Sequence, residues 1–139
     1  AGTGVTHSEF NPSPKEPAHF LQIWIHPAQK GLPPAYAERK ARAVEGNGWE
    51  LVASGDGRQG SIKINQDADL YLARLGAGAK VSHAIGAGRG VWVQVAEGGV
   101  VANGTELKTG DGLALENESE LVLEAGASGN SQVLVFDLR

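Results

Sequence analysis

Val91-Trp92-Val93-Gln94-Val95-Ala96-Glu97-Gly98-Gly99-Val100-Val101-Ala102-Asn103-Gly104 is the stretch that decides the fold. From Val91 to Val95 only Gln94 interrupts the apolar run, so both faces are apolar except at that residue, as expected of a strand where two sheets enclose a core. Asn103-Gly104 is a strong tight-turn signal, because both residues tolerate the positive φ of a two-residue hairpin. Gly98-Gly99 and Gly110-Asp111-Gly112 are weaker forms of the same signal.

Working outward, short β segments separated by turn chemistry fill the rest of the chain. They are expected at Trp49–Ala53, Ile62–Asn65, Leu70–Leu75, Lys80–Ala84, Val91–Ala96 and Val100–Ala102, then at Leu113–Leu115, Glu120–Glu124 and Gln132–Asp137. Strands at this spacing with almost no helix between them predict an all-β antiparallel sandwich or barrel. Upstream, His19-Phe20-Leu21-Gln22-Ile23-Trp24-Ile25 reads as a further strand, stopped by Pro27. Gly31, Pro33 and Pro34 then break the pattern, and Tyr36 to Val44 reads as a short helical turn inside a connector.

Composition narrows the function classes. The chain has 139 residues, 41% of them hydrophobic, which suits one domain or one domain plus a fragment of a second. Its 20 glycines favour turns over long helices. A formal net charge of −4, with scattered Lys and Arg, gives no reason to expect nucleic-acid binding. With no cysteine there is no disulfide framework, thiolate metal site or cysteine nucleophile, which is compatible with a cytoplasmic location. No signal-peptide layout opens the chain, and no apolar run is long enough to span a bilayer as a helix, so no membrane partner is expected. There is also no methionine, which fits either removal of an initiator or excision from a longer polypeptide.

The residues with chemistry to offer are few. His7 and Glu9, two apart on an extended segment, point the same way because side chains alternate with period two. An imidazole and a carboxylate on one face form half of a site for iron, nickel or copper. His19 and His26 have odd separation and are expected on opposite faces, one partly buried and one exposed. His83 has no acid nearby in sequence and reads as a hydrogen-bonded strand histidine. Asp67 and Asp69 share a face and resemble a paired-carboxylate device, but a solvated strand edge is the commoner explanation. Gly86-Ala87-Gly88-Arg89-Gly90 lacks the following helix of a dinucleotide loop and reads as a hairpin turn between two strands. Ser54 to Gly60 lacks a Gly-Lys-Ser/Thr ending and reads as a loop.

Ala1-Gly2-Thr3-Gly4-Val5-Thr6-His7-Ser8-Glu9-Phe10-Asn11 resembles the second metal-binding motif of the pirin family, two-domain proteins built from cupin barrels. The likeness continues through Leu21-Gln22-Ile23-Trp24-Ile25, Pro34-Ala35-Tyr36, Gln66-Asp67-Ala68-Asp69-Leu70-Tyr71, Val91-Trp92-Val93-Gln94-Val95 and Val133-Leu134-Val135-Phe136-Asp137-Leu138. The resemblance implies a cupin-type (double-stranded β-helix, or jelly-roll) barrel over residues 46–139, free of metal. Before it would come a connector over 31–45 and, over 1–30, strands of an incomplete amino-terminal cupin. It also implies that His7 and Glu9 correspond to two of four metal ligands, Glu9 doubling as a catalytic base. The upstream His-x-His pair has no counterpart, so a truncated chain, inactive alone, is expected. The implied activity of an intact protein is that of a quercetin 2,3-dioxygenase, opening a small aromatic, flavonol-like substrate with oxygen at a divalent metal. A metal-free cupin acting as a protein-binding or regulatory module is the alternative. The strand of Phe20, Leu21, Ile23, Trp24 and Ile25 would leave apolar surface exposed, so Ala1 to Ile25 is expected either to pack on the carboxy-terminal barrel or to pair with a second copy in a homodimer.

Overall fold

The computed structural model describes residues 2–41, 48–127 and 129–139. Ten strands form two facing sheets. In chain order they are β1 (Gly48–Ser54), β2 (Ile62–Lys63), β3 (Ala68–Leu75), β4 (Lys80–Ala84) and β5 (Gly90–Glu97), followed by β6 (Gly99–Ala102), β7 (Thr105–Lys108), β8 (Gly112–Leu115), β9 (Glu120–Ala125) and β10 (Ser131–Leu138). The larger sheet has the order β2-β1-β3-β10-β5-β8 and the smaller β4-β9-β6-β7. All pairings are antiparallel except that of β1 with β2. The predicted all-β barrel is therefore present. Among the described residues no helix is long and apolar enough to cross a membrane.

Alternation explains which residues fill it. On β5, Val91, Val93 and Val95 point inward and are fully buried, while Trp92 and Gln94 face outward. The same period puts Val133 and Val135 of β10, and Leu121 and Leu123 of β9, into the core. The outward residues of β10, Leu134 and Phe136, are apolar as well. The larger sheet thus has two apolar faces, the second of which needs its own cover.

Several expectations change here. No strand forms among the described residues before β1, so the expected strand at His19 to Ile25 has no ladder partner here. A strand exists only by pairing, and among the described residues this segment makes no ladder with another. It keeps the period-two character instead. Leu21 and Ile23 are each about half as exposed as Trp24, at 41%, 40% and 83%, and Ile25 is less exposed still. Leu21, Ile23 and Ile25 line a groove of about 490 Å3 opposite Trp92, Leu134 and Phe136. Within this single chain the segment lies over the outer face of the larger sheet. Two hydrogen bonds, Ala28 N–H to Asn65 O and Gln66 Nε2 to His26 O, both 2.8 Å, fasten its end to the β2–β3 loop.

Tyr36 to Ala41 is irregular rather than helical, and the rest of the expected helical turn, Arg42 to Val44, lies outside the described residues. Arg39 in this stretch reaches β1, binding Glu50 Oε1 (2.6 Å) and Leu51 O (3.1 Å). Gly86 to Gly90 is not a hairpin. It contains a tight turn, Arg89 N–H to Gly86 O, but it carries the chain from β4 in one sheet to β5 in the other. Gly98 (φ 79°) and Gly110 (φ 92°) likewise turn corners between sheets, because β5 and β6, and β7 and β8, do not pair. Among the described residues only Asn103-Gly104 closes a hairpin, and its far arm is a strand the sequence reading lacked, β7.

Candidate functional site

His7 and Glu9 do lie together. Nδ1 of His7 is 3.9 Å from Oε1 of Glu9, with the two side chains 57% and 56% exposed. Both therefore look into solvent from the irregular amino-terminal segment rather than into a barrel. Among the described residues no group of three or more His, Asp or Glu side chains is placed to hold a metal ion. Two donors on an exposed segment do not close a coordination sphere, which for a borderline transition metal takes four or more ligands. The pair fits part of a metal site, not a whole one.

The other histidines separate as expected from any such site, with one change. His19 and His26 are both exposed, rather than one of them partly buried. His83 is the hydrogen-bonded strand histidine anticipated. It faces into the barrel from β4, and its Nε2–H donates to Oδ2 of Asp137 on β10, 2.7 Å away. Its acid partner is 54 residues distant in sequence.

Around that bond lies a polar centre that sequence reasoning did not assemble. Asp137 is buried, its side chain 7% exposed, and accepts a second hydrogen bond on Oδ1 from Arg89 Nε. Arg89 also donates to the Asp137 carbonyl (3.0 Å) and to Asp67 Oδ1 (2.9 Å). The rings of Tyr71 and Trp49 stand 4.9 and 5.9 Å from the His83 ring, and the Trp49 indole N–H donates to Ser82 O across the two sheets (2.8 Å). Arg58 completes the group, reaching Asp69 Oδ1 at 3.0 Å and the Tyr71 hydroxyl at 3.4 Å. The only signal available beforehand was inward register: Tyr71, His83 and Asp137 each occupy the core-facing parity of their strands.

The charges explain the electrostatics. The Arg89 hydrogen bond holds the Asp67 carboxyl below its ordinary value, against a smaller opposing effect of burial. Burial opposes the charge on Arg89, but Asp137 and then Asp67 outweigh it and raise its affinity for the proton. Burial, followed by the nearby charge of Asp69, raises the Tyr71 phenol. Asp67 and Asp69 are thus not a paired acid–base device. Each has its own arginine, Arg89 for one and Arg58 for the other.

Comparison with known proteins identifies the family. Residues 51–138 match the family model described as the quercetinase C-terminal cupin domain. Over 138 residues the chain is 45% identical to the quercetin 2,3-dioxygenase of Escherichia coli K12, covering 99% of this chain and 58% of that protein. The crystal structure of YhhW from Escherichia coli superposes with a TM-score of 0.76 at 41% identity, over 84% of this chain and 48% of that one. A second structure, the bacterial pirin YhhW in complex with nickel(II), gives a TM-score of 0.73 at 39% identity, over 81% and 47% of the two chains. The chain therefore spans well under two thirds of the length of these relatives. On the match of residues 51–138, supported by these likenesses along nearly the whole sequence, the chain belongs to the pirin family of cupin proteins.

Proposed function

We propose that this chain serves a metal-dependent oxygenase of the quercetin 2,3-dioxygenase type, acting on a flavonol-like aromatic. The supporting observation is its 45% identity, along 99% of its length, to a protein named for that activity. In this reading His7 and Glu9 donate to one divalent metal, nickel, iron or copper, together with ligands beyond the described residues. Glu9 has the further role of accepting the proton of the bound phenol, for which an exposed carboxylate beside an imidazole is suited. A nickel(II) complex exists for one related pirin, which makes nickel the first metal to try. The working division is an amino-terminal part (1–30), a connector (31–45) and a metal-free barrel (46–139).

The test uses the natural full-length coding sequence that contains these residues. Metal content is measured by mass spectrometry, and quercetin-dependent oxygen uptake is followed before and after reloading with nickel, iron or copper. The expected result is one bound metal and uptake that both vanish in His7→Ala and Glu9→Ala. A full-length protein that binds no metal and consumes no oxygen under any loading overturns the enzyme reading, leaving the barrel as a binding module.

A further inference from the structure

The unpaired segment ahead of the barrel is joined to the buried polar centre inside it through two side chains, Gln66 and Arg89. Ala28 and His26 are bonded to Asn65 and Gln66 of the β2–β3 loop. Gln66 uses both ends of its amide: Nε2–H donates to His26 O while Oε1 accepts the backbone N–H of Asp67 (2.8 Å). The orientation of Gln66 is therefore tied to the placement of Asp67. Asp67 is itself held from the barrel side by Arg89, with Arg139 a more distant second cation at 3.6 Å. Arg89 is no free surface cation. Its Nε and Nη2 are spent on Asp137, the buried carboxylate that His83 holds from the opposite sheet.

We infer that Arg89 is a latch, gripping Asp137 inside the barrel and Asp67 on the β2–β3 loop so that this loop holds residues 26–28 and keeps the amino-terminal segment on the outer face of the larger sheet. The planar guanidinium suits the task, since its nitrogens offer donors in fixed directions to two carboxylates at once. The grip is graded. The Asp137 end is buried and strong, whereas the Asp67 carboxylate is half exposed and easily exchanged for water. Release at the weak end frees the loop without opening the barrel, and uncovers Trp92 and Phe136 on the sheet. The segment is a strap whose fastening is set from inside the barrel.

Amide hydrogen exchange by NMR on the intact 139-residue chain tests this. Asp67→Ala cuts the latch at its exposed end, and the Ala28 amide should then exchange about tenfold faster while the Leu121 and Val133 amides keep their protection. Arg89→Ala should do the same or more. If it also speeds exchange at Leu121 and Val133, the barrel has opened, and the decision rests on Asp67→Ala alone. Lys80→Ala, which removes an exposed pair with Glu124 on the other sheet, should leave Ala28 unchanged. Ala28 exchange in Asp67→Ala that matches the parent overturns the inference, as does equal acceleration by Lys80→Ala.

Discussion

Replacing Asp137 with alanine should be the most costly change available outside the apolar core. The substitution removes a carboxylate 7% exposed and strands both of its donors, His83 Nε2–H and Arg89 Nε–H, whose side chains are 13% and 21% exposed. Removing one partner of a fully buried ion pair costs about 3–5 kcal/mol, because the remaining charge is left without compensation. Two features moderate that figure. Arg89 is one-fifth exposed, and it retains Asp67 at 2.9 Å. The expected loss is therefore about 3 kcal/mol, near the lower end of that range. Glu124→Ala, which breaks the solvent-exposed pair with Lys80, is the reference and should cost less than about 1 kcal/mol. Urea unfolding, followed by the fluorescence of Trp49 beside His83, reads both. His83→Ala and the double variant complete a cycle in which the second substitution should cost much less once the first is made. If Asp137→Ala falls within about 1 kcal/mol of Glu124→Ala, the group behaves as a surface pair, and the reading of a buried polar centre fails.

Leu121→Ala, at a fully buried core position on β9, should lose about 2–5 kcal/mol through lost transfer energy and the cavity left behind, checked by the same urea midpoints. A side chain at Gly112 would meet the Trp92 indole at 2.3 Å. Gly112→Ala should therefore displace the ring, red-shift the tryptophan emission and cost about 1 kcal/mol. Acid titration provides a further check. Because the folded state depresses the Asp67 pKa, that group contributes stability above the ordinary carboxylate value and loses it as pH falls through the lower folded value. Unfolding midpoints measured from pH 6 downwards should fall less steeply in that acid range for Asp67→Ala than for the parent; identical slopes would contradict the ion pair with Arg89.

The barrel was legible in the sequence because it is written in period two. Lys80–Ala84 is bounded as read, and Val91 to Val95 lies on an interior strand of its sheet, between β10 and β8, with alternate valines inward. Thr105–Lys108 escaped notice because Leu107 is its one buried residue, flanked by Glu106 and Lys108. Even so, the hairpin signal at Asn103-Gly104 required a strand on its far side. Corners between sheets were mistaken for hairpins because glycine supplies positive φ to both, and local sequence does not say which strand comes alongside. The same distinction divides the candidate sites. His7 and Glu9 are two residues apart, so their proximity follows from the backbone alone. His83, Arg89 and Asp137 meet only through the pairing of β10 with β5 and the packing of the sheet that holds β4 against the one that holds β10, and no local spacing encodes that. The amino-terminal segment failed as a strand for a related reason: its composition fixes which side chains are apolar, not whether a neighbouring backbone is present to pair with it.

The position of β10 has a consequence for how the barrel comes into being. This strand lies between β3 and β5, making its two ladders with segments that precede it by dozens of residues. During synthesis, β1 and β3 can zip together early, and β6 can turn back on β7. The larger sheet nevertheless stays in two halves until residues 131–138 have left the ribosome. Such a late, non-local closure predicts slow folding and a waiting intermediate with open strand edges on β3 and β5. A nascent chain stalled before Ser131 would expose the valine row of β5 to any passing strand, and that interval is when chaperones would be needed most.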